Sequence, residues 1–390
     1  VYLQRSNVKR FILLLTVLLC LWTVPRLSTG SISYTVYAME GNPRFIKIGG
    51  DQLGIGLQDQ FGDGVMLRTS RESSVSFSAA GNRYHVYPSS LVRIESEPRL
   101  VYGKLSKSSS DRGPFVDLHF YYIPTPAQGR TMKLIVRSRT GDIRVRSSLK
   151  RDGGRVRELK MYQIEEGKYR ALTGFDCEAP AVRYRIIIRA EKESAGFTQV
   201  VYPFYLQETS FSRGRVDLSS EKQELFEPSD RKAREVRHLS MILSRPDPRA
   251  LWIGRFSHPL QDPTVISSFG KRRSYFMDGA WLRVRHHRGI DYKAARGTPV
   301  YAPNRGVVVL TASRITTGNT LVLDHGQGVF SLFFHLDSIS ASAVEGQEVE
   351  KGEKVAEAGS TGIAAGAHLH WGLFVDGTYV NPEDWIKRSF

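Results

Sequence analysis

The chain has 390 residues, 41% of them hydrophobic, which excludes both a short disulfide-stapled scaffold and a disordered chain and leaves room for roughly two to four domains. Lys and Arg number 55 against 39 Asp and Glu, a formal charge of +16, so an anionic partner is expected: nucleic acid, phospholipid or an acidic wall polymer. The excess is uneven. Residues 251–390 carry 15 basic and 13 acidic groups, whereas residues 31–250 carry 36 and 26. The basic surface therefore belongs to the upstream part.

At the N-terminus, Lys9 and Arg10 precede an apolar run from Phe11 to Val24, and Pro25, Ser28 and Gly30 follow. This pattern predicts an export signal over residues 1–30, cleaved before Ser31. A run of this length is short for a membrane span, which needs about 20 residues. An uncleaved membrane anchor is the alternative. Cys20 lies inside the run, so a cleaved chain keeps only Cys177 and cannot form an internal disulfide. Export also argues against nucleic acid as the partner and leaves the envelope, either the periplasm or the inner-membrane surface, as the expected location.

Residues 31–98 read as a small β domain, with Tyr34-Thr35-Val36-Tyr37, Ser74-Val75-Ser76-Phe77 and Tyr84-His85-Val86-Tyr87 as strands around a Gly-rich stretch. Asp63-Gly64-Val65-Met66-Leu67-Arg68-Thr69 followed by Pro88-Ser89-Ser90 resembles the FecR-type β domain. Residues 99–218 hold further short strands, among them Lys133–Arg137, Ile143–Arg146 and Val182–Ile186, at the spacing of an immunoglobulin-like sandwich. Arginines alternate with apolar residues there, and residues 130–170 carry 13 basic against 5 acidic groups. The plain interpretation is a solvated strand face; the sharper one is a surface that rests on an anionic wall.

The period changes in residues 219–248. Pro228-Ser229-Asp230 opens a helix, Val236, Leu239 and Leu243 recur at helical spacing, and Pro246 and Pro248 end it. A helical linker is predicted, followed by a last domain over residues 249–390 that is mostly antiparallel β.

That last domain holds seven of the ten histidines. In His368-Leu369-His370 the two rings are two residues apart, so on a strand they face one groove about 7 Å from each other. A hydrolytic zinc site wants three protein ligands and one open position. His287, Asp291 and His370 supply such a set, provided that Gly289 bends the chain, because residues four apart on a straight strand lie about 13 Å from each other. His368, by strand parity, and His335, after Phe333-Phe334, are candidates for a base and a transition-state stabiliser. His325, in Asp324-His325-Gly326, reads as a turn residue, and His286 as a neighbour of the site.

Taken together, these residues resemble the lysostaphin/LytM-type zinc metallopeptidases, which cut peptide cross-bridges in peptidoglycan. The resemblance covers about 251–385 and rests on Ser267-Ser268-Phe269-Gly270-Lys271-Arg272, His287-Arg288-Gly289-Ile290-Asp291, Gly297-Thr298-Pro299-Val300, Gly318-Asn319, Asp324-His325-Gly326, Phe334-His335-Leu336, Gly359-Ser360-Thr361-Gly362 and His368-Leu369-His370-Trp371-Gly372. It implies one catalytic Zn2+ on His287, Asp291 and His370, with His335 and His368 as the catalytic pair and peptidoglycan peptide stems as substrate. Phe334 departs from the tyrosine that relatives often carry. Some relatives have lost ligands and only activate other wall hydrolases, which makes a wall-binding activator the alternative. Gly306–Val309 and Glu345–Val355 also resemble the halves of a lipoyl or biotinyl carrier barrel, but no lysine lies between them to be modified. A serine peptidase is unsupported, since no Gly-x-Ser-x-Gly occurs; for a cysteine peptidase, Cys177 has no histidine near it in sequence.

Overall fold

The computed structural model describes residues 34–40, 43–46, 52–61, 64–95, 97–108, 118–123, 126–138, 143–192, 196–218 and 228–390. The expected signal or anchor over residues 1–30 lies outside the described residues, as does the start of the linker. No described helix is long and apolar enough to cross a membrane.

The chain is mainly β, as its alternating pattern implied. Upstream, one sheet runs in the order Val156–Leu159, Arg144–Arg151, Arg183–Lys192, Gly196–Tyr205, Arg99–Ser108, Asn82–Val86, Ser74–Ala79, Tyr34–Glu40, Gln60–Phe61. Arg99–Ser108 pairs with strands from both sides of it in sequence, so hydrogen bonding continues across residues 98 and 99. Leu118–Ile123, Thr131–Ser138, Lys168–Gly174 and Tyr162–Glu165 form a second sheet. Met132, Leu134 and Val136 from this sheet are buried in one cluster with Ile186, Ile188 and Ala190 from the first. The spacing of two in both triplets is the pleat that puts alternate residues inside. Arg183, Arg185 and Arg189, at the intervening positions, stay at least partly exposed.

The C-terminal sheet is ordered Val265–Ser267, Ile290–Lys293, His368–Val375, Val329–Ile339, Gly318–Gly326, Gly306–Arg314, Glu348–Val349. Its core includes Tyr292, Phe333, Leu369 and Trp371, all fully buried, and each such side chain contributes about 1.5–3 kcal/mol of transfer free energy. His325 is a buried strand residue rather than a turn residue. Its Nδ1 lies 2.7 Å from the Arg305 carbonyl and its Nε2 2.8 Å from Ser331 Oγ, and burial lowers its pKa to about 4, which keeps the ring neutral.

Upstream elements are fastened to this domain. Leu172 and Cys177 share its core, Trp385 Nε1 donates to Thr131 Oγ1 at 2.9 Å, and the Arg170 guanidinium donates to Gln327 Oε1 at 2.6 Å while lying 4.6 Å from the Trp252 ring centre. The predicted helix spans Asp230–Leu243, and the Ser229 side chain caps it by accepting from the Lys232 amide. Leu239, Ile242 and Leu243 pack against Leu310, Val322 and Phe334, and Glu235 Oε2 accepts from the Ile315 amide at 3.1 Å. Val236 is exposed.

One strand was not foreseen. Arg213–Leu218, at the end of the segment expected to form the sandwich, pairs in parallel with Arg272–Met277, which pairs in turn with Ala280–His286. This three-stranded sheet stands beside the histidine cluster.

Candidate active site

Asp291 and His370 are cross-strand partners on Ile290–Lys293 and His368–Val375. Direct opposition brings Asp291 Oδ1 to 2.8 Å from His370 Nδ1. His287 reaches them through the Arg288-Gly289 turn, its Nε2 lying 3.0 Å from Asp291 Oδ1 and 3.1 Å from His370 Nδ1. Gly289 serves this turn differently from the expectation. A Cβ there would lie 2.5 Å from the His370 ring and 2.7 Å from the Trp371 carbonyl oxygen. The residue is small because two chains touch at that point, and a positive φ plays no part.

The electrostatics fit a cation at the centre of this triangle. His287 Nδ1–H donates to the Ser268 carbonyl at 2.9 Å, which leaves the Nε2 lone pair pointing inward, and burial lowers the ring's pKa to about 4. Burial alone would raise the Asp291 carboxyl, but the adjoining His287 and His370 rings outweigh it and hold the group far below the usual carboxylate range. Three potential ligand atoms thus converge within 3.1 Å of one another, a set suited to zinc. Arg273 donates to Asp291 Oδ2 and also, at 2.8 Å, to Ser267 Oγ. It fixes the carboxylate from behind, as outer-shell groups commonly do for a ligand.

His335 and His368 stand next to the triangle with ring centres 5.0 Å apart. Both rings are oriented by main-chain carbonyls: His335 Nδ1 lies 2.8 Å from the Thr361 oxygen and His368 Nδ1 2.8 Å from the Gly366 oxygen. Each ring therefore carries its proton at Nδ1 and turns Nε2 to the groove, and that of His368 is 3.8 Å from Asp291 Oδ1. Burial lowers the His335 pKa to about 3. His335 also departs from regular strand geometry, with φ at +61° where the ladder to Gly318–Gly326 slips its register. On a regular strand Phe334 and His335 would face opposite sides. The irregularity turns both toward one groove, where Phe334 stacks flat on His370 at 4.9 Å.

The structure thus brings His287, Asp291, His370, His335 and His368 into one groove. Sequence reasoning missed Arg273, although its alternation with Tyr275 on a hairpin was a usable signal. It also set Cys177 aside as remote from histidine. The fold places Cys177, Glu178 and His286 so that one ligand atom from each falls within 4.8 Å of the others. Burial, with Asp176 beside it, pushes the Cys177 thiol up to about 12, and Arg288 Nη2 lies 3.5 Å from Glu178 Oε2, so this cluster is poorly supplied with the thiolate a metal needs.

Residues 285–382 match the model of peptidase family M23. The C-terminal domain belongs to that family. Over 207 residues the chain is 30% identical to an uncharacterized metalloprotease of Haemophilus influenzae, covering 52% of this chain and 41% of the relative. Over 117 residues it is 37% identical to peptidoglycan DD-endopeptidase ShyA of Vibrio cholerae, covering 30% of this chain and 26% of the relative. The chain thus spans less than half the length of these relatives. A Pseudomonas aeruginosa structure described as a candidate M23 peptidase superposes over 67% of this chain and 94% of its own, with 21% identity and a TM-score of 0.46. All five groove residues, His287, Asp291, His335, His368 and His370, lie within the matched M23 span.

Proposed function

We propose that the chain is a zinc-dependent endopeptidase that hydrolyses peptide cross-links of peptidoglycan in the cell envelope. The observation that carries this reading is the triangle of His287 Nε2, Asp291 Oδ1 and His370 Nδ1, with sides of 2.8–3.1 Å, facing two carbonyl-oriented histidines. His287, Asp291 and His370 would hold one zinc ion, which when bound supplies Lewis acidity and lowers the pKa of a bound water towards about 7.

The protein's own residues account for the rest. His368, on the same strand face as His370 and partly exposed to the groove, accepts a proton at Nε2 and returns one to the leaving amine. His335, held neutral by burial and anchored through Nδ1 to Thr361, is the second polar group and orients the scissile peptide or the attacking water by accepting a hydrogen bond at Nε2. Phe334 packs the His370 ring from one side, which holds its Nδ1 toward Asp291. The basic upstream β segments, residues 31–218, are the candidate docking surface for an anionic wall, and residues 1–30 the export signal or anchor.

Metal analysis and turnover together test this reading. Full-length protein should bind one zinc and release peptides from purified peptidoglycan. His370→Ala should lose both properties, and His368→Ala should keep zinc and lose turnover. Zinc binding without peptide release by the intact chain would favour the activator alternative. Release by the His370 variant would overturn the ligand assignment.

A further inference from the structure

The groove has a volume of about 670 Å³, and its lining is asymmetric in charge. Arg215, Lys271, Arg273, Arg283, Arg285 and Arg288 all contribute to it, whereas Asp291 is the one carboxylate among its described lining residues. Three of these cations have identified roles nearby: Arg273 fixes Asp291, Arg288 lies 3.5 Å from both Asp176 and Glu178, and Arg215 pairs with Asp217. Arg283 and Arg285, like Arg273, lie on the sheet built from Arg213–Leu218, Arg272–Met277 and Ala280–His286, which Lys271 precedes. Its register aligns Gly214 with Arg273 and Arg273 with Arg285 in one row, and Val216 with Tyr275 and Tyr275 with Arg283 in the next. All six positions line the groove, as expected of residues that share a face, and Arg215, out of phase with them, lines it as well. Arg272, one position out of phase, is exposed and does not line it.

We propose that this sheet face is a carboxylate-binding wall, which positions acidic stem peptides by their free carboxylates against the histidine cluster. The proposal rests on the peptidase reading above and specifies its substrate class. Like charges placed directly across an antiparallel pair destabilise it, and Arg273 and Arg285 are so placed. Asp291 compensates Arg273 from within the site, and Arg285 remains exposed at the groove. An incoming carboxylate would balance it. Guanidinium groups suit this ligand because their planar fork matches the two carboxylate oxygens. A stem peptide carries such carboxylates, whereas the interior of a glycine bridge carries none. In the same rows Gly214 adds no side chain and Val216 a small one, so the strand from upstream of the linker helix closes the wall without filling it.

The test uses zinc-loaded full-length protein and two matched cross-linked stem peptides, one with free side carboxylates and one with the same groups as carboxamides. The wild type should cleave the free acid with a KM about three- to tenfold lower, the range expected for one net hydrogen bond at a solvent-exposed site. Arg285→Gln and Arg283→Gln should erase that preference and leave kcat within about twofold, since a contact equal in ground and transition states changes only KM. Arg272→Gln should keep the preference. A parallel binding measurement with the His368→Ala variant and the free-acid peptide should show affinity falling between low and high salt, less steeply when Arg285→Gln is added. Equal KM values for acid and amide in an active wild type, or an intact preference in Arg285→Gln, would overturn the proposal. So would a loss on Arg285→Gln confined to phosphate-bearing wall polymer. Failure to cleave either peptide would instead count against the peptidase reading, and the binding arm would still decide the wall.

Discussion

His335 occupies a conformation that costs the fold free energy, and removing its side chain separates stability from activity. A non-glycine residue at φ of +61° carries about 1–2 kcal/mol of strain, and His335→Gly relieves it. Against that relief stand about 0.5–1 kcal/mol from the added freedom of glycine in the unfolded chain and about 1 kcal/mol for the lost hydrogen bond to Thr361. The terms nearly cancel, so the net change is within about 1 kcal/mol of zero, or roughly 2–4 °C in Tm. The effect on turnover is of another order. Loss of a group that positions the reacting peptide lowers kcat by about 10²-fold. Thermal unfolding followed by fluorescence, beside peptide release from defined wall fragments, measures both quantities on one sample. His335→Asn, which tolerates positive φ, should also fold normally and be inactive. A His335→Gly protein destabilised by more than about 3 kcal/mol would mean that the residue is a packing element, a cost of the size that core deletions show. Retained turnover would mean that it is not catalytic.

Gly289→Ala would drive a methyl group into the His370 ring and the Trp371 carbonyl. It should weaken zinc binding by about 10–100-fold, the scale seen when support for a ligand is lost; competitive titration with a chelating dye reads this, and unchanged affinity would refute the close-approach argument. Burial raises the Asp324 carboxyl to about 6, above its unfolded value of about 3.9, so its folded state holds the proton more tightly. The associated stability is present below about pH 4 and is lost as the pH rises through 6, amounting to about 2–3 kcal/mol. Asp324→Asn should therefore gain on the wild type by about that much between pH 4.5 and 7.5 in denaturant titrations, and a parallel pH profile would refute the assignment. Trp385→Phe should cost about 1–3 kcal/mol, because it leaves the buried Thr131 hydroxyl without its indole partner. Proteolysis should then separate the upstream β region from the M23 domain more readily than in the wild type, and an unchanged digestion pattern would show that this contact does not fasten them.

Much of the site was legible in the sequence because its spacings carry chemistry. Two residues apart on a strand means one face, which placed His368 beside His370, and a strand register then set Asp291 opposite His370. The capped helix was legible for a similar reason, since Ser229 and the recurrence of Leu239 and Leu243 are local signals. What escaped was set by distant contacts. Nothing near Gly289 in sequence announces that His370 lies against it. The groove-facing turn of His335 depends on a register slip against Gly318–Gly326, and slips of this kind depend on pairing rather than on composition. His325 looked like a turn residue because Asp and Gly flank it, yet hydrogen bonds at both ring nitrogens, to the Arg305 carbonyl and the Ser331 hydroxyl, hold it inside the sheet.

Residues 213–218 give the same lesson a functional edge. Their alternation of charged and uncharged residues fits a strand, but strand propensity cannot name a partner. The partner is the 272–286 hairpin, reached past the helix that packs beside the groove on Leu310 and Phe334. The groove of the M23 domain is thus walled in part by chain that precedes the helix, and the same helix takes the Ile315 amide through Glu235. A fragment beginning at residue 249 would retain His287, Asp291, His335, His368 and His370 and lose Gly214, Val216 and the helix contact. On this arrangement such a fragment should keep zinc while binding stem peptides more weakly, so the chain ahead of the M23 domain contributes to substrate recognition at the groove itself.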